Sequence, residues 1–352
     1  MALAHQQTQE GGENAINAQA GRDVVIMGVT YAEARQIALD VFKANAVELA
    51  GQAQQIARER AEHLTEQFLE KLQNRNPDGL QQACDPDFQH SILEAQKAFA
   101  RSGDDNLEAV LTDLLVERTA EKTRSLRQLV LTQSIETISR LTSEQIDILT
   151  IIFLTRHTKW GGIKGRESLV DYFKTNIIPV TENINWSDSV YSYLSYTGTA
   201  TIQVGFIQIP EILRRTYPGL VSNGLDPSAF SSIRARESEE ALHEIIAAHP
   251  QDPQKQQIYA IDADALRAVC SARGISQEST TELTNLLLQN LMSDAEIIDL
   301  FSPIKEPMEI LLSQWSSTTL QNTVLTPVGL AIAHSNAIRR GLRMADLDNW
   351  LR

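Results

Sequence analysis

The stretch richest in groups that could do chemistry is the run Arg156-His157-Thr158-Lys159-Trp160-Gly161-Gly162-Ile163-Lys164-Gly165-Arg166. Five cationic or titratable side chains, Arg156, His157, Lys159, Lys164 and Arg166, surround one indole, Trp160, and three glycines. Glycine lets backbone amides converge on an anion, and cations beside an aromatic suit a phosphate or a lipid headgroup. These six residues are therefore the candidate anion- or lipid-binding site. The loop is not a Walker A loop, because Gly165 is followed by Arg166 and Glu167 where Lys and Ser/Thr are needed. A solvated turn between two helices has the same composition, and that is the plainer reading.

Other pairings fall short of a site. His243-Glu244 with His249 invites comparison with a zinc helix, but position 247, where the second histidine belongs, is Ala247. At ~100° per residue, a spacing of six turns the two rings roughly 120° apart on a helix, so no metal is expected there. Asp262 and Asp264 read as helix caps. No serine sits in a nucleophile elbow, and neither Cys84 nor Cys270 has a histidine partner motif. The chain is read as non-enzymatic and without a cofactor. The basic run Ile338–Arg343, with the strand-like start at Thr323, has the outline of a winged-helix edge. Only one strand of a wing is visible in acidic surroundings, so nucleic-acid binding stands as a further alternative only.

The elements that would position the loop are helical. Thr142-Ser143-Glu144-Gln145 is a capping box opening Ile146–Arg156, a segment apolar nearly all round and hence buried. Helix resumes over Glu167–Ile178 and stops at Pro179. Upstream, Thr30 to Leu72 reads as one Ala-rich helix opened by a Thr30/Glu33 capping box, with no proline and one glycine. Its stripe is Phe42, Ala46, Leu49, Ala53, Ala57, Leu64, Phe68 and Leu72. Eleven-residue spacings such as Phe42/Ala53/Leu64 favour a nearly straight bundle over a leucine zipper. At ~1.5 Å per residue the helix would reach roughly 60 Å, and so thin a stripe needs a packing partner. Ahead of it, Glu13–Ala20 and Gly21–Gly28 read as two short strands, marginal by themselves. The leader residues Ile16, Val24 and Ile26, with Phe42, Leu49, Leu64, Phe68 and Leu72, are the candidate subunit contacts.

Further along, Asp105 caps a second long helical pattern to Leu141 whose middle, Glu117 to Ser125, is polar. Thr199–Phe206 and Thr323–Leu325 are strand-like. Asp262–Ala272, Ser276–Met292, Asp294–Phe301 and Pro307–Trp315 are helical, and Thr326-Pro327 is a clean helix start. The expected fold is mainly α: a long N-terminal helix, a helical bundle body, a short β-like leader, and minor strands near 199–206 and 323–325. The expected divisions are 1–29, 30–141, 142–250 and 251–352, the last boundary marked by Pro250 and Pro253.

At 352 residues the chain can bury a sizeable core. A net charge of −14 argues against a general nucleic-acid binder, which needs a basic face. Residues 231–300 are the most acidic part, with five Lys/Arg against twelve Asp/Glu. Two cysteines are too few for a disulfide framework and point to a reducing cytoplasm. The first thirty residues lack the pattern of a signal peptide, and the apolar run Ile146–Leu154 is far too short to span a bilayer.

Three passages together resemble a known group: Leu141 to Leu154, Arg215 to Leu220 ahead of Asn223-Gly224, and Leu325 to Ala333. In this order and spacing they resemble an uncharacterised family of bacterial helical proteins with locus-style names, over roughly residues 30–345. The resemblance implies a helical fold and transfers no catalytic residue. The run Gly21-Arg22-Asp23-Val24 and the residues before it are similar to leaders found ahead of helical domains in bacterial conflict and defence proteins. Some distant helical relatives sit in abortive-infection or phage-defence settings. The expected function is thus a cytoplasmic oligomer acting by assembly, a sensor or effector in anti-phage defence, with a protein partner encoded nearby as a further expectation. The alternative is a membrane-perturbing effector that binds anionic lipid.

Overall fold

The front of the chain folds back on itself. In the computed structural model, which describes residues 29–45, 51–182, 184 and 186–351, helix α1 spans Tyr31–Asn45 and helix α2 spans Gln52–Arg75. Arg35 pairs with Glu66 at 2.9 Å, and the Gln96 amide donates to both the Ala38 carbonyl and Thr65 Oγ1 at 3.0 Å. Phe42 meets Ala57 and Ala61 in a small apolar cluster. Early residues of α1 therefore face late residues of α2, and the two run antiparallel. Gly51, the residue before α2, has φ +59°, a left-handed conformation that glycine adopts without steric cost. The single 60 Å helix expected from the periodicity is corrected to a hairpin.

That correction reassigns the stripe. Leu64, Phe68 and Leu72 are at most 2% exposed, in the main core of the chain, and Phe42 is buried in the hairpin. They are covered by α1, by α3 (Pro86–Ser102) and by α4 (Asp105–Arg118). These four residues are core packing within one chain, so they are not available as subunit contacts. Ile16, Val24, Ile26 and Leu49, the other residues proposed for that role, lie outside the described residues.

The body follows its capping signals. Thr30 and Glu33 bond reciprocally ahead of α1, and Asp85 caps α3 through the Phe88 amide. Asp104, one residue earlier than expected, caps α4 through the amides of Asn106 and Leu107. The polar stretch after Arg118 breaks the second long pattern, and α5 starts afresh over Leu126–Ile138. Helix α6 (Ser143–Ile152) opens with the Thr142/Gln145 capping box and runs into a π-helical turn, Phe153–His157. Helix α7 (Arg166–Tyr172) ends likewise in a π turn, Phe173–Ile177, before α8 (Ile178–Thr181). Then come α9 (Asp188–Tyr196), strand β1 (Ala200–Ile202) and α10 (Ile209–Thr216).

Residues 222–291 form an insertion with its own core, built on Phe230, Ile233, Leu242, Ile258, Leu266 and Leu283. It holds α11 (Ser231–Arg236), α12 (Glu239–Leu242), the hairpin β2 (Ile246–His249) and β3 (Asp252–Ile258), α13 (Ala263–Ala272) and α14 (Gln277–Leu287). The chain enters and leaves it side by side: Ser222 bridges Leu291, and the Met292 amide donates to the Val221 carbonyl at 2.7 Å. The boundary expected at 250/251 falls in the β2–β3 turn, because Pro250 and Pro253 flank a hairpin inside this core. His243 and His249 share no helix: α12 ends at Leu242, and His249 is buried in β2.

After α15 (Asp294–Asp299) and α16 (Lys305–Ser317), strand β4 (Thr323–Leu325) leads into α17 (Pro327–Arg339). Thr326 caps α17 through the Gly329 amide, with Pro327 at the first position. Val328 to Ala337 are all buried, against α4, α5 and α6. Strand β4 pairs antiparallel with β1, Ala200 opposite Leu325 and Ile202 opposite Thr323. The winged-helix outline at this end thus resolves into a core helix, and Arg339 and Arg340 are engaged with Asn336, Asn106 and Asp147.

Replacing Phe68 with alanine is expected to lower the unfolding free energy by about 3–5 kcal/mol, the usual range for a buried aromatic, in a urea titration, with the solution mass of the folded chain unchanged. A changed mass with unchanged stability would return Phe68 to a subunit contact.

Candidate functional site

The basic loop lies between the helical body and the insertion. The Arg156 guanidinium, leaving the π turn of α6, donates to the Thr323 carbonyl of β4 at 3.0 Å. The His157 carbonyl accepts from the Trp350 indole at 2.7 Å. Burial, helped by the Arg156 charge, pulls the His157 imidazole down to about 4, so the ring is neutral at pH 7; its Nε2 is shielded and has no hydrogen-bond partner among the described residues.

Lys159 reaches across to the carboxylate of Asp262, the residue that caps α13 through the amides of Asp264 and Ala265. Burial pushes the Asp262 carboxyl up, but the Lys159 ammonium and the two cap amides outweigh it, so the group titrates below its ordinary value. The Trp160 amide donates to Tyr217 Oη at 2.8 Å, and its indole stacks on Tyr172 with centroids 5.6 Å apart. Burial raises both phenols. Arg166, at the start of α7, donates to the Leu220 and Ser222 carbonyls at 2.7 and 2.8 Å and also to Gln251 Oε1. Its rigid fork serves several acceptors at once, which an ammonium cannot do in one geometry. Gly219 completes the junction: a Cβ there would run into the Ala260 carbonyl.

The six residues predicted as an anion site are thus brought together, but both guanidiniums and the Lys159 ammonium are already engaged. Arg156 and Arg166 bond to carbonyls, Lys159 to an aspartate, His157 is neutral and Trp160 is packed. Lys164 is exposed, and its ammonium forms no ion pair among the described residues. An anion would have to displace internal hydrogen bonds, each worth about 1–3 kcal/mol where a charged group is involved. Chemically the loop is a clasp holding the insertion to the body.

What the residue-by-residue reading passed over lies on the opposite kind of surface. From Ser189 to Pro210 the sequence carries no Asp, Glu, Lys, Arg or His. In that run Tyr196 is 82% exposed, Val204 103% and Phe206 70%, with Tyr193 and Ile202 partly exposed. The Tyr193 and Tyr196 rings lie 6.1 Å apart. Strand β1 belongs to a two-stranded sheet, with β4 as its one neighbour among the described residues. The signal that could have found this patch is the uncharged run overlapping a strand-like alternation. An open groove of 590 Å³ along α1 is lined by Glu33, Asp40 and Cys84, among others. Glu33 is bonded in the Thr30 cap and Asp40 to Gln36, so neither is free to act as an acid or base pair.

A sequence model of an uncharacterised family with a locus-style name matches residues 28–351, and the chain belongs to that family. No curated protein and no solved structure matches it. Among the described residues, no helix is long and apolar enough to cross a membrane.

The clasp sets an acid dependence. An unfolded chain protonates histidine below pH ~6.5, whereas folded His157 stays neutral until about 4. Stability therefore falls as pH drops through that window, by at most about 3 kcal/mol on the linkage relation, and His157→Gln is expected to flatten the slope. Asp262 adds stability above the ordinary carboxylate range that is lost as pH falls through its lowered native value. Asp262→Asn is expected to blunt that lower limb and to speed amide exchange across α13. Denaturant titrations from pH 3 to 7 check both; unchanged slopes in both variants would contradict the clasp.

Proposed function

We propose that this protein acts by self-association and not by catalysis, through the uncharged surface of residues 189–210. One observation carries this: a chain of net charge −14 exposes Tyr196, Val204 and Phe206 on a stretch with no charge at all. Like-charged copies repel one another over most of their surface, so approach is favoured where charge is missing. Tyr196 is 82% exposed, Val204 103% and Phe206 70%, and large apolar side chains left this open, close together in the chain, are what an interaction site presents. A role as a sensor or effector in bacterial anti-phage defence is the setting suggested by the resemblance of the leader, whose residues lie outside those described.

Exposed aromatic and aliphatic side chains also suit a bilayer interface, which keeps membrane attachment as the second reading. Anionic lipid would need cations beside the patch, and Arg156, Lys159 and Arg166 have internal partners.

Light scattering on the full chain and on the double variant Val204→Asp, Phe206→Asp separates these. The expected result is a mass above 39.2 kDa for the wild type and a monomer for the variant, with the same unfolding midpoint. A monomeric wild type that floats with vesicles would support the membrane reading, and a monomer that does not float would end both.

A further inference from the structure

The geometry points to a binding groove for a nucleoside monophosphate on the helical body. An open groove of 580 Å³ is lined by residues of α3, the end of α5 and α9. That volume falls within the ~300–1,000 Å³ of small-molecule sites. Helix α3 supplies His90, Glu94 and Arg101, spaced four and seven residues apart and so on one helix face. Glu136, in the last turn of α5, and Arg140, just past its end, join them. The Tyr193 hydroxyl of α9 donates to the Arg140 carbonyl at 3.0 Å and ties the third element in. No clasp residue lines the groove. The inference does not rest on self-association, since Arg101 and Arg140 lie outside residues 189–210.

The carboxylates here have partners and the guanidiniums do not. Glu94 pairs with Lys97 at 3.0 Å, and Glu136 with the His90 ring at 3.3 Å. Arg101 and Arg140 are both exposed, and among the described residues neither forms an ion pair or donates a side-chain hydrogen bond. Arg60 and Arg118, by contrast, are bonded internally. Each free arginine stands at a helix C-terminus, where the backbone dipole favours a cation. That accounts for their place, yet it uses none of the five N–H donors of each fork. Such a fork takes phosphate oxygens two at a time. The net charge of −14 does not forbid this, because charges farther off than ~8 Å are largely screened at about 0.15 M salt. Within the groove three cations, Lys97 included, stand against two carboxylates.

The remaining lining selects among phosphates. Inorganic phosphate would occupy the forks and leave the rest of the groove to water. Tyr193, 38% exposed, offers a ring for stacking, and the carboxylates of Glu94 and Glu136 accept hydrogen bonds from hydroxyls. A nucleoside monophosphate brings all three complements: a phosphate, ribose hydroxyls and a planar base. A sugar phosphate lacks the base. A nucleic-acid strand would need a longer line of cations along its backbone than two forks provide.

Equilibrium dialysis of labelled AMP against the full chain at about 0.15 M salt tests this, with a Kd under ~1 mM expected. Arg101→Ala and Arg140→Ala are each expected to weaken binding about tenfold, the loss of one charge-assisted hydrogen bond, with the wild-type unfolding midpoint kept. Lys174→Ala removes an exposed cation from the π turn after α7 and is expected to leave binding unchanged. Unlabelled ribose 5-phosphate and inorganic phosphate are each expected to compete about tenfold less well than AMP, for want of the base. No retention of AMP by the folded wild type overturns the site. So does retention that both arginine variants keep, or that Lys174→Ala loses equally. Competition by ribose 5-phosphate or phosphate as strong as by AMP overturns the nucleotide as its ligand.

Discussion

Helix α17 has no solvent face from Val328 to Ala337, and covering it constrains the rest of the body. Apolar residues account for most of the run, but His334, Ser335 and Asn336 are buried with them, and polar groups in such a place need partners. Asn336 donates to Thr150 Oγ1 at 2.7 Å and to Asp147 at 3.0 Å, while Arg340 holds the same carboxylate. The His334 ring meets the Ala345 carbonyl at 2.9 Å. These bonds fix the rotation of α17 against α6. The start of the helix is fixed by Thr326, whose amide and hydroxyl reach Thr199 and Gly198. Strand β4 must therefore run along the surface of the body, and β1 is held outside it with one edge turned away. The exposed patch follows from how the core helix is anchored.

The insertion depends on a different kind of interaction. Its core is separate from that of the body, and at the loop it is joined through the Lys159–Asp262 pair, the Arg166 bonds to Ser222 and Gln251, and the close approach of Gly219 to Ala260. Charge-assisted hydrogen bonds to carbonyls and carboxylates hold orientation more sharply than they add stability. A joint of this type responds to acid through Asp262, with His157 beside it in the same loop, and the exposed stretch 201–206 contains no titratable group.

Local signals in the sequence were readable because capping chemistry is local. The Thr30/Glu33 and Thr142/Gln145 boxes and the Thr326-Pro327 start all form, and the strand-like runs at 199–206 and 323–325 contain β1 and β4. The helix reversal was not readable from periodicity, since both arms of the hairpin keep the same spacing and Gly51 is the sole local sign. The basic loop read as a ligand site because cations, glycines and an indole serve internal carbonyls as well as they serve a phosphate. Absence of charge was equally ambiguous: residues 310–338 carry no Asp, Glu, Lys or Arg, yet α17 within them is core while 201–206 are exposed. Only the three-dimensional placement separates the two.

The proposed self-association covers, in the working form, a surface that one copy leaves bare. Hydrogen–deuterium exchange of the full chain at rising protein concentration reads this directly across the exposed residues 201–206. Slower exchange there with concentration, and no change across α17 or the clasp, is the predicted result. Equal exchange at all concentrations, in a chain shown to be folded, would contradict it.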